Sequence, residues 1–116
     1  MAETTMSTSA TVLKLTDADY KNTLTNNPLL VVDCYADWCA PCRMIAPLIQ
    51  ELAAEYSGRV SFAKVDVDRN PQVAIQHGVR GIPTLLFFKH SKLVDQVVGA
   101  LPKHALKQRV EALLAA

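Results

Sequence analysis

The spacing of hydrophobic and polar residues alternates between strand and helix patterns along the chain. Short apolar or alternating runs predict strands at 12–15, 29–36, 60–67, 84–89 and 93–98. Helical spacing predicts helices after Thr16, from about 41 to 56, from 71 to about 77, and from 102 onward. The last two strands are close enough to form an antiparallel hairpin. The order βαβαβαββα predicts an α/β single domain whose central mixed five-stranded sheet is flanked by four helices.

Several residues set the expected helix ends. Thr16 is expected to cap the first helix, and Asn70 the third, with Pro71 at its first position. Pro47 lies inside the longest helix and is expected to kink it near Arg43, because its ring clashes with that carbonyl.

Two cysteines occupy the junction between the 29–36 strand and the longest helix. The sequence there is Trp38-Cys39-Ala40-Pro41-Cys42. Pro41 suits a first helical turn, which places Cys39 at the helix N-terminus. Unpaired amides and the helix dipole stabilise a thiolate at such a position. The pattern therefore indicates a redox dithiol.

Two other interpretations of the cysteine pair stay open at this point. A structural zinc site needs four ligands, yet the chain offers only Cys34 besides this pair. Its histidines, His77, His90 and His104, are scattered without ligand spacing and are expected to be solvated surface residues. A purely structural disulfide is also possible, although so short a loop would stabilise the fold weakly.

Composition and charge narrow the function classes. The chain has 116 residues and a formal charge of +1, which gives no reason to expect a nucleic acid or an anionic membrane as partner. Three cysteines fit a reducing compartment better than a secreted disulfide framework. No apolar run is long enough to span a membrane. Residues 1–11 lack the pattern of a signal peptide and are expected to be a disordered lead to a domain at 12–116, so we expect a cytoplasmic protein.

The chain resembles the thioredoxin family from about residue 12 to residue 116. The resemblance rests on Pro47 and on matching segments at 32–33, 36–43, 64–68, 70–71, 78–84 and 98–100. A C-x-x-C followed about forty residues later by Gly81-Ile82-Pro83-Thr84 is a specific combination. The resemblance implies the thioredoxin fold.

The resemblance also implies roles for the two cysteines. Cys39 matches the family's exposed nucleophile, which attacks a substrate disulfide and forms a mixed disulfide. Cys42 matches the buried resolving thiol, which releases the substrate and leaves a Cys39–Cys42 disulfide. Thiolate attack on sulfur is the chemistry of such exchange.

Asp33 is a carboxylate inside an otherwise apolar strand. If it is buried and unpaired, its pKa should rise, which suits proton transfer. The alternative is a carboxylate satisfied by backbone amides or by a salt bridge to Lys64. The resemblance implies that Asp33 helps to deprotonate Cys42, with Lys64 as its partner.

The resemblance further implies a cis-proline at Pro83 and a surface on which substrates dock. Trp38 could instead be an ordinary core aromatic, but its place beside the cysteines favours the surface. We call the expected substrate-binding residues the docking surface: Trp38, Ala40, Pro41, Val67, Gly81, Ile82, Gly99 and Ala100, with Pro83 among them.

Three positions depart from the family's common pattern, and one of them is Tyr35, which stands where a tryptophan is common. Ala40 replaces the usual glycine between the cysteines, which bears on the redox potential and on partner fit. Cys34 stands where an aromatic residue is common. Strand alternation places it on the face opposite Asp33, and we expect a buried hydrophobe rather than a third redox thiol.

These observations predict a protein disulfide reductase that contributes to cell redox homeostasis. It would need no bound cofactor, because the electrons pass through its own dithiol. For this expected monomer, the resemblance implies a flavoprotein thioredoxin reductase as partner upstream and disulfide-containing proteins as partners downstream. One rival is a structural binding module that works irrespective of redox state. Another is an oxidant or isomerase, which would need an oxidising compartment.

Overall fold

The computed structural model describes residues 11–116, so the lead predicted at 1–11 lies outside the described residues except for Thr11. The strands are β1 (Leu13–Lys14), β2 (Leu29–Tyr35), β3 (Ser61–Asp66), β4 (Thr84–Lys89) and β5 (Lys92–Val98). The helices are α1 (Tyr20–Asn26), α2 (Ala40–Glu55), α3 (Pro71–Gln76) and α4 (Lys103–Ala115). The predicted element order is confirmed. Within residues 11–116, no helix has the length and apolar character needed to cross a membrane.

The sheet is mixed and has the strand order β1-β3-β2-β4-β5. β3 runs parallel to both β1 and β2, whereas β4 is antiparallel to β2 and to β5. β2 therefore lies at the centre of the sheet, with a hydrogen-bonded neighbour on each side. In this register Asp33 of β2 is opposite Lys64 of β3. The predicted mixed five-stranded sheet is confirmed.

Both faces of the sheet are covered by apolar side chains, which explains the near-continuous apolar run of β2. Val31 packs with residues of α2 and α4 on one face, including Ile45, Ile49 and Leu106. Leu30, Val32 and Cys34 pack on the other face with residues of α1 and α3, including Leu24 and Val73. The alternation of β2 thus supplies two core layers and leaves its carboxyl end free to position a site.

The prediction that Thr16 caps the first helix is wrong. Helix α1 begins at Tyr20, and its N-cap residue Asp19 makes no side-chain capping bond. The Thr16 amide donates to Asp19 Oδ1 at 2.8 Å, and the Asp19 amide donates to Thr16 Oγ1 at 3.3 Å. Thr16 and Asp19 therefore close a separate turn ahead of the helix, which competes with helix formation at 17–19.

Helix α3 is capped by a residue from another part of the chain. Asn70 is its N-cap and Pro71 its first residue, as predicted, but the Asn70 side chain does not bond to the helix. Instead, Asn70 Oδ1 accepts from the Asp17 amide at 3.1 Å. The Asp17 carboxylate then accepts from the amides of Gln72 and Val73 at 3.2 and 3.3 Å. Asp17 supplies the acceptor that a helix N-terminus needs.

We expect Asp17→Ala to lower the free energy of unfolding by about 1–2 kcal/mol, because two α3 amides lose their acceptor. Urea unfolding followed by circular dichroism measures the change. Asp17→Asn is the matched control, because it keeps an acceptor oxygen at this position and should lose less. Equal losses in the two variants would show that charge, and not the capping bond, matters here.

His77 is not the solvated surface residue that we predicted. Its Nε2 is hydrogen-bonded to the Tyr20 hydroxyl, and its ring packs edge-to-face against Phe88 with a centroid distance of 5.3 Å. Burial lowers the pKa of His77. The error arises because α1 folds over the end of α3, a tertiary contact that local sequence does not encode. His90 and His104 are exposed, as predicted.

Candidate active site

The two cysteines lie where the central strand gives way to the longest helix. Cys39 is the N-cap of α2, and its sulfur accepts a hydrogen bond from the Cys42 amide at 3.2 Å. Cys39 and Cys42 form a disulfide with their Cα atoms 5.3 Å apart. The predicted location of the dithiol at the helix N-terminus is therefore confirmed. A Cys39 thiolate at this place would be stabilised by the helix dipole and by the Cys42 amide.

The expectation that Cys39 is exposed is wrong for this oxidised form. Both Cys39 and Cys42 are only 3% exposed. The Cys39 sulfur lies 3.8 Å from the Ile82 carbonyl oxygen, and the partly buried Val67 packs against the same cluster. The sulfurs are thus covered by the loop that precedes β4. The neighbouring Trp38 remains 69% exposed.

Comparison with known proteins decides the family. The family model described as thioredoxin matches residues 11–112. The chain belongs to the thioredoxin family. It is a thiol–disulfide oxidoreductase that acts on disulfide-bearing substrates, and the Cys39–Cys42 pair is its redox-active disulfide. The zinc alternative has no support among residues 11–116, where no three His, Cys, Asp or Glu side chains form a metal-binding group.

Individual thioredoxins match most of the chain. "Thioredoxin 1" of Nostoc sp. is 47% identical over 99 residues, which cover 84% of this chain and 92% of the relative. The solved structure of a point mutant of a thioredoxin from Halobacterium salinarum NRC-1 superposes with a TM-score of 0.85 and 34% identity. That match covers 91% of this chain and 93% of the other. The thioredoxin fold is therefore confirmed.

One relative bears on the compartment. The "Thioredoxin M-type, chloroplastic" of Pisum sativum is 50% identical over 82 residues, which cover 71% of this chain and 48% of the relative. Thioredoxins similar to this chain therefore include one named for the chloroplast.

Asp33 is 5% exposed and lines a cavity together with Cys42. Its Oδ1 is buried without a hydrogen-bond partner among the described residues. Burial raises the pKa of Asp33 to about 7, and the positive charge of Lys64 opposes part of that rise. The alternative of a carboxylate fully satisfied by backbone amides is wrong, since one oxygen has no partner.

Lys64 is near Asp33 without forming an ion pair within the described residues. The two residues face each other across β2 and β3, while the Lys64 ammonium lies 5.8 Å from the centroid of the Tyr35 ring. A cavity of about 170 Å³ adjoins Asp33, Lys64 and Cys42. Such a cavity is large enough for a few water molecules beside the polar groups. The structure thus brings Asp33, Lys64 and Cys42 together.

The Ile82–Pro83 peptide bond is cis, as the resemblance implies. The Pro83 carbonyl accepts a hydrogen bond from the Gly99 amide at 2.8 Å, and Thr84 Oγ1 donates to the Gly81 carbonyl at 2.5 Å. These bonds hold the end of β5 against the segment that covers Cys39. Gly81 and Gly99 of the docking surface are therefore adjacent to Pro83.

The docking surface surrounds a second cavity, of about 200 Å³. Trp38, Val67, Gly81 and Ile82 line it. Ala40 and Pro41 are exposed between the two cysteines, and Ala100 is exposed next to Gly99. The interpretation of Trp38 as a core aromatic is wrong. Its indole N–H donates to Asp68 Oδ2 at 2.8 Å, which fixes the exposed ring beside the cavity.

The sequence interpretation missed several residues of this surface. Ala74, Val79 and Arg80 line the same cavity, and the nearby Val98 is 63% exposed. A Cβ built on Gly81 would lie 3.8 Å from Val98 Cγ1, so Val98 is a direct neighbour. Two signals could have found all of them except Ala74. Val79 and Arg80 belong to the matching 78–84 segment, and Val98 directly precedes Gly99.

Cys34 is fully buried in the core layer on the α1 and α3 side of the sheet, on the face opposite Asp33. Burial, with the nearby Asp33 charge as a smaller cause, raises the pKa of its thiol to about 12. Cys34 therefore stays protonated at neutral pH, which disfavours it as a nucleophile.

Proposed function

We propose that the protein is a protein disulfide reductase in which Cys39 is the nucleophile and Cys42 the resolving thiol. One observation carries the assignment: the Cys42 amide donates to the Cys39 sulfur at the N-terminus of α2. In the reduced protein this bond and the helix dipole favour the thiolate on Cys39 over that on Cys42.

The reaction follows from this asymmetry. The Cys39 thiolate attacks one sulfur of the substrate disulfide, so that a mixed disulfide forms and a substrate thiolate leaves. Cys42 then loses its proton and attacks the Cys39 sulfur. The second substrate thiolate leaves, and the Cys39–Cys42 disulfide remains. Two electrons pass from the protein to the substrate, and an external dithiol or reductase restores the protein.

Asp33 is proposed as the group that takes the proton from Cys42. A pKa of about 7 lets the carboxylate accept a proton near neutral pH, and Cys42 lines the same cavity. Lys64, opposite Asp33 in the sheet, favours the charged form and so keeps that pKa from rising further. Water in the cavity would carry the proton from Cys42 to Asp33.

The docking surface, with Pro83 beside Cys39, is proposed to hold an extended substrate segment. Its residues are mostly apolar, and the cavity next to Trp38 offers room for one side chain. A small apolar patch suits transient binding of varied substrates. The additional methyl group of Ala40 would narrow the range of substrates that this surface binds.

Partners and compartment follow from the same chemistry. We propose a flavoprotein thioredoxin reductase as the upstream donor, disulfide-containing proteins as substrates, and a monomer comprising a 12–116 domain. A reducing compartment such as the cytoplasm suits a protein that carries the free Cys34 beside its redox pair. Neither a nucleic acid nor a membrane is expected as a partner.

A trapping experiment tests the assignment of the two cysteines. In Cys42→Ser, Cys39 can still attack insulin but the mixed disulfide cannot be resolved. We therefore expect a covalent complex with insulin on non-reducing gels, and dithiothreitol should cleave this complex.

Cys39→Ser is the matched variant and should give little or no complex, because Cys42 lacks the helix-terminal stabilisation that favours the thiolate on Cys39. If Cys39→Ser trapped as much insulin as Cys42→Ser, the assigned order of attack would be wrong.

A further inference from the structure

Arg80 is the one charged residue that lines the cavity beside Trp38. The other lining residues of the docking surface are apolar or glycine. Arg80 is followed by Gly81 and by Ile82, whose carbonyl oxygen lies 3.8 Å from the Cys39 sulfur. Arg80 therefore lies only two residues before the carbonyl group that is next to the reactive Cys39 sulfur.

The remaining arginines of the described chain are each held by a partner within it. Arg43 donates to the Asp37 carbonyl, and Arg59 lies over the Tyr56 ring. Arg69 and Arg109 pair with Asp66 and Asp95. Arg80 is exposed, and no such contact involves it within residues 11–116. Its guanidinium donors are therefore available to a carboxylate on a docked chain.

We propose that Arg80 is a specificity-determining residue. It selects substrates in which an acidic side chain neighbours the apolar residue that enters the cavity. This inference rests on the proposed docking of substrates at this surface. The apolar walls take the apolar side chain, and Arg80 at the same cavity supplies the complementary charge.

The size of the expected preference follows from the exposure of Arg80. Ion pairs at exposed sites are weak, so we expect a preference of about two- to fivefold in kcat/KM at low salt. Because salt screens exposed charges, the preference should shrink toward one at high ionic strength.

The test uses synthetic peptides with one intramolecular disulfide. In each peptide a leucine is next to a cysteine, and a glutamate or a glutamine is next to that leucine on the side away from the cysteine. Peptides are made with the order cysteine, leucine, glutamate or glutamine and with the reverse order. The order that is reduced faster is used. Reduction by the full-length protein is followed with dithiothreitol as donor. The measured quantity is the ratio of kcat/KM for the glutamate peptide to that for the glutamine peptide.

We expect this ratio to exceed one in the unmodified chain, to fall to about one in Arg80→Gln, and to drop below one in Arg80→Glu. Arg59→Gln is the charge-matched control, since Arg59 lies beyond the opposite end of α2, a 16-residue helix about 24 Å long. It should keep the ratio of the unmodified chain. Circular dichroism verifies that each variant is folded.

A ratio that stays the same in Arg80→Gln, or that falls equally in Arg59→Gln, would overturn the inference. A ratio near one in the unmodified chain would overturn it as well. Failure of the proposed function looks different, because the unmodified chain would then reduce neither peptide nor insulin.

Discussion

Cys39→Ser is expected to abolish insulin reduction, leaving only the slow background of dithiothreitol. Serine keeps the size of the side chain and its place at the N-cap of α2, where an oxygen also accepts a hydrogen bond. What it removes is the sulfur that forms the mixed disulfide. The measurement is the turbidity of precipitating insulin chains, recorded with and without the variant.

Cys34→Ala is the matched control for this loss. Cys34 is buried in the core layer on the α1 and α3 side of the sheet, and the pKa of its thiol is raised. Its removal should therefore lower the stability of the fold and leave the reductase activity unchanged. A folded Cys39→Ser protein that still reduced insulin would contradict the dithiol mechanism. If instead the folded unmodified chain reduced no insulin, the short disulfide would be a structural staple and the chain a binding module.

The sequence predicted the architecture because its local signals agree with the fold. The apolar run of β2 is buried on both faces, and the stripe that includes Ile45, Ile49 and Leu52 is the buried face of α2. The predicted antiparallel hairpin also formed, with His90 and Ser91 both at positive φ between β4 and β5. Local pattern and tertiary structure point the same way at these places.

Apart from the error at Thr16, which comes from a local turn with Asp19, the errors share a cause, which is contact between segments distant in sequence. His77 is covered by Tyr20, 57 residues away, and α3 is capped by Asp17, more than 50 residues before it. Cys39 is covered by the Ile82 segment, 43 residues on. Neither periodicity nor capping preference carries information about such partners.

The residues of the candidate site also fall into those that local sequence located and those that only the tertiary structure revealed. The motif located the cysteines, since the thiol chemistry depends on a local feature, the start of a helix. The walls of the cavity beside Trp38 come from separate segments of the chain, and the contribution of Ala74 appeared only in the folded chain. Asp33 is intermediate. Its apolar neighbours predicted burial, but only the structure shows the unpartnered oxygen.

Asp33→Asn is expected to make the protein more stable at alkaline pH and slower in catalysis. The Asp33 carboxyl has a pKa of about 7 in the folded chain against 3.8 for an ordinary aspartate. Between these pH values the folded chain holds a proton that the unfolded chain has lost. The stability that this proton supports is therefore complete below about pH 4 and is lost as pH rises through 7, a change on the order of 4 kcal/mol.

Urea unfolding at pH 4, 6 and 8 measures this effect. Asparagine has nearly the same size and no charge, so the variant should exceed the unmodified chain by about 2–4 kcal/mol at pH 8 and by little at pH 4. His77, whose pKa is lowered, acts in the opposite direction, with stability lost as pH falls through its range. Both proteins contain His77, so their difference isolates Asp33.

Asp95→Asn is the matched control, because Asp95 is paired with Arg109 at the surface. Losing that pair should lower stability slightly, by at most about 1 kcal/mol, at pH 8. An equal gain for Asp33→Asn at pH 4 and pH 8 would show that shape, and not buried charge, governs the effect.

The same variant separates a proton-transfer role from a structural one. Without the Asp33 carboxylate, Cys42 loses the proposed base whose pKa is about 7, so single-turnover reduction of insulin at pH 7 should slow by at least about tenfold. Trp38 fluorescence can report the turnover, since Trp38 directly precedes Cys39 in the chain. The trapped complex of Asp33→Asn/Cys42→Ser should form as fast as that of Cys42→Ser alone, because Cys39 attacks before Asp33 acts. If Asp33→Asn were more stable but reduced insulin as fast as the unmodified chain, Asp33 would be a buried charge with no role in the attack of Cys42 on the mixed disulfide.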